Sequence, residues 1–123
     1  MIINQPGIPI HMLCDDGSVI RCKPIALGIW NMQTTASIVV NHGLAALFSR
    51  FIHVSAVIRD DPGTSYYPLE FDPFSVSFVP SGSVIGWDST SISLARLTAG
   101  PFDNAIFSNG VINRGTLFVW YRE

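Results

Sequence analysis

Between Phe51 and Arg59 the chain reads Phe-Ile-His-Val-Ser-Ala-Val-Ile-Arg. Ile52, Val54, Ala56 and Ile58 alternate with Phe51, His53, Ser55, Val57 and Arg59. A period of two, rich in β-branched residues, is what a pleated strand imposes, because successive side chains project to opposite faces. Asp60-Asp61-Pro62-Gly63 then stops the strand with turn chemistry. The pattern calls for an antiparallel β protein.

Further segments repeat the pattern. A hairpin is expected over about Ile8–Leu13 and Val19–Ile25, turning at Asp15-Asp16-Gly17. Strands are expected over Ser37–Asn41, Ser75–Val79, Ser83–Trp87, Ser91–Leu97 and Thr116–Arg122. Short strands separated by Gly, Pro, Asn and Asp spell an antiparallel β-sandwich of about seven to eight strands. At 123 residues the chain is one domain with a real core. Residues 1–25 form an N-terminal hairpin packed on the same domain, and residues 26–123 form the sandwich. The expected core is Ile52, Val54, Ala56, Ile58, Ile92, Leu94, Leu117 and Val119. A turn around Leu44–Phe48 is the one helical candidate and is too short to matter.

Charged residues are 13% of the chain and hydrophobic ones 48%, with Lys23 the single lysine. A free monomer usually carries more surface charge, roughly 25% of residues. The last strand is apolar on both faces, Phe118 and Trp120 opposite Leu117, Val119 and Tyr121. Burial against copies of the same chain, as a homotrimer, is therefore expected. The net charge of −2 carries no basic stripe, which argues against nucleic acid. No apolar run approaches a membrane span of roughly 18 residues, and the start of the chain lacks the pattern of a signal peptide. Folding in a cytoplasm is expected; a virion protein released by lysis would look the same.

The residues that could carry chemistry are scattered. Cys14 and Cys22 flank the turn. A two-residue Asp16-Gly17 turn pairs Cys14 with Val19, which leaves Cys22 facing His11 and favours two free thiols; a longer loop would bring the cysteines opposite each other. Asp60, Asp61, Asp72, Asp88 and Asp103 are dispersed and suit turns and caps. They lack calcium-loop spacing, so no metal and no cofactor is expected. His11, His42 and His53 lie in or at the ends of strands, and there is no nucleophile elbow. Arg96 shares a face with Ile92 and Leu94, so its guanidinium needs a carboxylate, with Asp103 and Asp88 as candidates; Arg114 is similar. These read as structural ion pairs fixing the long connections Asp60–Pro73 and Thr98–Arg114. Trp87-Asp88 with Tyr66-Tyr67 could make a sugar platform, aromatic faces stacking on sugar C–H surfaces while a carboxylate accepts hydroxyl bonds.

Several fragments in order resemble a family. They are Gly28-Ile29-Trp30-Asn31-Met32, Thr34-Thr35-Ala36-Ser37, Asn41-His42-Gly43-Leu44, Val57-Ile58-Arg59-Asp60-Asp61, Asp88-Ser89-Thr90, Leu94-Ala95-Arg96, Gly100-Pro101-Phe102-Asp103 and Asn113-Arg114-Gly115. Over about Ala26 to Tyr121 the order is similar to small β-sandwich proteins of tailed phages and prophages, the H-type-lectin-like tips of tail fibres. The resemblance implies a trimeric, non-catalytic virion structural or host-adhesion module with a surface glycan as ligand. It carries over no binding residue. A cellular lectin-like protein is the alternative, and a small hydrolase using Asp60, Asp61 and His42 a third.

Overall fold

The computed structural model describes residues 10–13, 16–69 and 81–123. Eight strands are built from them: β1 (Ile10–Leu13), β2 (Val19–Ala26), β3 (Ser37–Asn41), β4 (Phe51–Arg59), β5 (Tyr66–Pro68), β6 (Gly82–Trp87), β7 (Ser91–Arg96) and β8 (Gly115–Arg122). All pairings are antiparallel. They sort into a five-stranded sheet, β1-β2-β8-β4-β5, and a three-stranded sheet, β3-β7-β6. The chain is an all-β antiparallel sandwich. The expected strand Ser75–Val79 lies outside the described residues.

The two sheets share one core. Ala56, Ile58, Leu117, Val119 and Tyr121 of the large sheet meet Val40, Ile92 and Leu94 of the small one, and Trp30, Met32, Phe102 and Phe107 from the connections join the same cluster. The alternation of β8 is strict, with Leu117, Val119 and Tyr121 inside and Phe118 and Trp120 half-buried outside. Gly115 opens that strand where no side chain fits: a Cβ there would stand 1.9 Å from the Val57 carbonyl oxygen.

Ile52 departs from the expected core. It is 54% exposed. The reason is a β-bulge: Phe51 faces Tyr121 and His53 faces Trp120, so Ile52 is the extra residue. The insertion shifts the face by one position. Phe51 turns inward in its place and packs against the core, as Val54 does.

The first hairpin also differs from expectation. Leu13 pairs with Val19, and a second irregularity brings Ile10 opposite Arg21. The paired ends are thus Leu13 and Val19, farther apart in the chain than an Asp16-Gly17 turn allows, and the Asp16 carboxylate accepts from the Ser18 backbone N–H. Cys22 is a free, half-buried thiol, while Cys14 lies outside the described residues. The hairpin joins the large sheet through β2, which pairs with β8 from Ile20↔Arg122 to Ala26↔Thr116.

The connection from Asp60, expected as loop, contributes β5 at the edge of the large sheet, Ile58 facing Tyr67. The connection from Thr98 carries a short 3-10 turn, Ala105–Phe107, whose first turn is capped by Asn104. The expected helical turn is a six-residue 3-10 segment, Ala45–Arg50, leading directly into β4.

Candidate functional site

Strand direction gives the sandwich two ends. β4 ends and β8 begins at one, and the reverse holds at the other. The candidate residues divide between them.

At the end where β8 begins, Arg114 is fully buried. Its guanidinium donates to the Asp61 carboxylate at 2.9 Å and to the Asn109 and Arg59 carbonyls at 2.8 Å each, while Nε donates to the Trp30 carbonyl at 2.9 Å. Asp61 also accepts the backbone N–H groups of Ser108 and Asn109. Burial raises the Asp61 pKa, but these donors outweigh it and hold the carboxyl below its ordinary value. Neighbouring Asp60 points elsewhere and caps its own loop, accepting from the backbone of Gly63 and Thr64 at 2.9 and 3.0 Å. Arg96, buried, lies 3.6 Å from Asp103 and donates to the Met32 and Gln33 carbonyls. Tyr67 packs edge-on against Phe102 and Phe107, and Tyr66 beside it is 64% exposed. Asp60, Asp61, Arg96, Asp103 and Arg114 are thus all engaged in holding connections together.

At the other end, His42 is buried. Its Nδ1 accepts from the Leu44 N–H at 3.0 Å, which leaves Nε2 to donate to the Asp88 carbonyl at 2.8 Å. The Asp88 side chain accepts from the backbone of Thr90 and Ser91; these bonds pull its pKa down to about 2. Asp88 is thus a turn cap and not the partner of Arg96. Trp87 is 41% exposed. It stacks on Phe51 at 5.6 Å between ring centroids, and its Nε1 donates to the Phe48 carbonyl.

Trp87 with Asp88 and Tyr66 with Tyr67 therefore do not converge. Trp87 touches Phe51 and Tyr67 pairs with Ile58; seven residues of strand separate those contacts by roughly 23 Å. Asp60 and Asp61 are likewise at the opposite end from His42, which packs against Phe51 at 5.1 Å. His53 lies on the outer face, stacked on Trp120, and the side chain of His11 is outside the described residues. Among the described residues no group of three His, Cys, Asp or Glu gathers in a metal-binding arrangement.

What the second end does hold is a groove that sequence reasoning missed. It measures about 310 Å³ and is lined by Ser49, Arg50, Phe51, Ile52, Arg122 and Glu123. The 3-10 segment brings in Ser49 and Arg50, and the bulge of β4 sets Ile52 into the wall. The end of β8 contributes Arg122 and Glu123, since Phe51 is paired with Tyr121. Beneath, Glu123 is bound by the buried Arg21. Ala45 enters the segment at φ 46, a left-handed conformation costing about 1–2 kcal/mol for a residue with a Cβ. No local sequence signal marks the groove, since Arg50 and Arg122 are far apart in the chain and come together only through the Phe51↔Tyr121 pairing.

Comparison with protein-family models, with curated proteins and with solved structures finds no match.

Proposed function

We propose that the chain is a non-catalytic phage virion module for host adhesion, assembled as a homotrimer and binding a surface glycan at the end of the sandwich where β8 stops. The groove between the 3-10 segment and the last residues of β8 carries this reading, as an open concavity beside a half-exposed tryptophan. The order of motifs resembling tail-fibre tips supplies the virion setting.

Self-association is supported by the outer faces. Phe118 and Trp120 share one face of the large sheet, their rings 5.9 Å apart, with His53 against Trp120 and the half-buried Cys22 and exposed Pro24 paired to them. Burial pushes the Cys22 thiol pKa up, so it acts as an apolar group. On the small sheet Val39 and Ile85 stand exposed. Faces of this kind mark contact surfaces when they are contiguous.

Binding per site is expected to be weak, near the millimolar range worth about 4 kcal/mol, with avidity from several copies. Glycan-array binding by the assembled oligomer, with and without chelator, for wild type and Trp87→Ala, tests this. Binding that weakens in Trp87→Ala and survives chelation supports the reading. Binding that ignores Trp87→Ala and vanishes with chelator replaces it with a calcium site. A hydrolase built on Asp60, Asp61 and His42 lacks convergence of those three, and a cellular lectin would use the same groove in a different gene setting.

A further inference from the structure

We propose that the groove reads charge: its ligand is a sugar carrying a carboxylate, held between the Arg50 and Arg122 guanidinium groups. This rests on the adhesion reading and names the ligand class of that site.

Apart from Arg59, which pairs with Tyr66 at the opposite end of the sandwich, the cations elsewhere in the described residues are committed. Arg21, Arg96 and Arg114 are buried against Glu123, Asp103 and Asp61, and the Lys23 ammonium donates to the His42 carbonyl at 2.8 Å. Arg50 and Arg122 differ. Among the described residues Arg50 has no carboxylate within ion-pair distance. Among the described residues Arg122 pairs with Asp16 alone, at 3.9 Å, with both side chains more than half exposed. A contact that long and that wet binds weakly, so Arg122 is available to a ligand.

The one acid of the groove does not cancel them. Glu123 is already neutralised from below by Arg21, which leaves two guanidinium groups facing an open concavity. A guanidinium presents a planar fork that matches a carboxylate at two points. Between the arginines the wall is apolar, Phe51 with the displaced Ile52. An apolar strip beside a cationic pair suits a pyranose ring, with its C–H face on Ile52 and Phe51 and its carboxylate on the arginines. Glu123 has a second carboxylate oxygen to accept a hydroxyl. Bulges commonly re-aim a side chain at a binding site, and here the bulge turns Ile52 into the groove wall instead of the core.

The test is calorimetric titration of the full chain with D-galacturonic acid and N-acetylneuraminic acid, against their methyl esters and D-galactose. At least one free acid should bind about tenfold or more tightly than its ester, the effect of losing a charge-assisted hydrogen bond. That preference should shrink in about 0.5 M salt. Arg50→Gln and Arg122→Gln should each weaken acid binding about tenfold, with circular dichroism and melting temperature unchanged because both side chains sit at the surface. Equal binding of acid and ester, acid binding indifferent to both substitutions, or no acid binding overturns the proposal. If neutral sugars alone bind, the charge assignment falls and the adhesion reading stands; silence toward every sugar on an array rejects both.

Discussion

Phe51 packs against Trp87 across the gap between the two sheets, with ring centroids 5.6 Å apart and the planes tilted by 44°. The contact exists because the bulge at Ile52 turns Phe51 inward. It joins the first residue of β4 to the last of β6, and so fixes one wall of the groove. One irregularity in the strand ladder thus sets both the local core and the shape of the candidate site.

The bulge makes a paired prediction about stability. Ile58→Ala should cost about 2–5 kcal/mol, since Ile58 is fully buried. Ile52→Ala should stay within about 0.5 kcal/mol, as for exposed positions generally. Chemical denaturation of both variants decides it, and equal losses would mean that the bulge is misplaced.

Asp61→Ala should destabilise by about 2–4 kcal/mol, because it leaves the Arg114 guanidinium buried without its carboxylate; the partial exposure of Asp61 keeps the cost toward the lower side. Denaturation measured at neutral pH gives the number. A change near zero would show that the carbonyl partners of Arg114 suffice.

Acid should reveal Asp88. Hydrogen bonds from Thr90 and Ser91 lower its folded pKa from 3.8 to about 2. A depressed folded value means stability that is present above 3.8 and lost as pH falls through about 2. Stability measured across that window should decline, and Asp88→Asn should flatten part of the decline. An unchanged slope in the variant would place the acid sensitivity elsewhere, with Asp61 as the next group to replace.

Self-association is tested by light scattering at micromolar concentration. Three chain masses are expected. A stable species of one chain mass would remove the trimer and any role of Phe118 and Trp120 between protomers.

Much of the fold was legible because it is local. The alternation in Phe51–Arg59, in Ser91–Leu97 and in Thr116–Arg122 specifies strands whatever they pair with, and the core positions Ala56, Ile58, Ile92, Leu94, Leu117 and Val119 follow from it. Ile52 did not follow, because the alternation runs through it unbroken and a bulge is a property of the pairing with β8. The hairpin register was missed for the same reason, as the Leu13↔Val19 pairing decides it and not Asp16-Gly17 alone. The groove was illegible because Arg50 and Arg122 meet only through the Phe51↔Tyr121 pairing. Trp87 and Tyr66 looked like one platform in the sequence, whereas strand direction puts them at opposite ends.

The most direct test of the central claim is amide hydrogen exchange of the oligomer, free and with the tightest-binding glycan from the array. Slowed exchange is expected in Ala45–Val54 and Val119–Glu123, the segments that build the groove. Protection confined to Asp60–Pro68 and Ala105–Arg114, at the other end of the sandwich, would contradict the account.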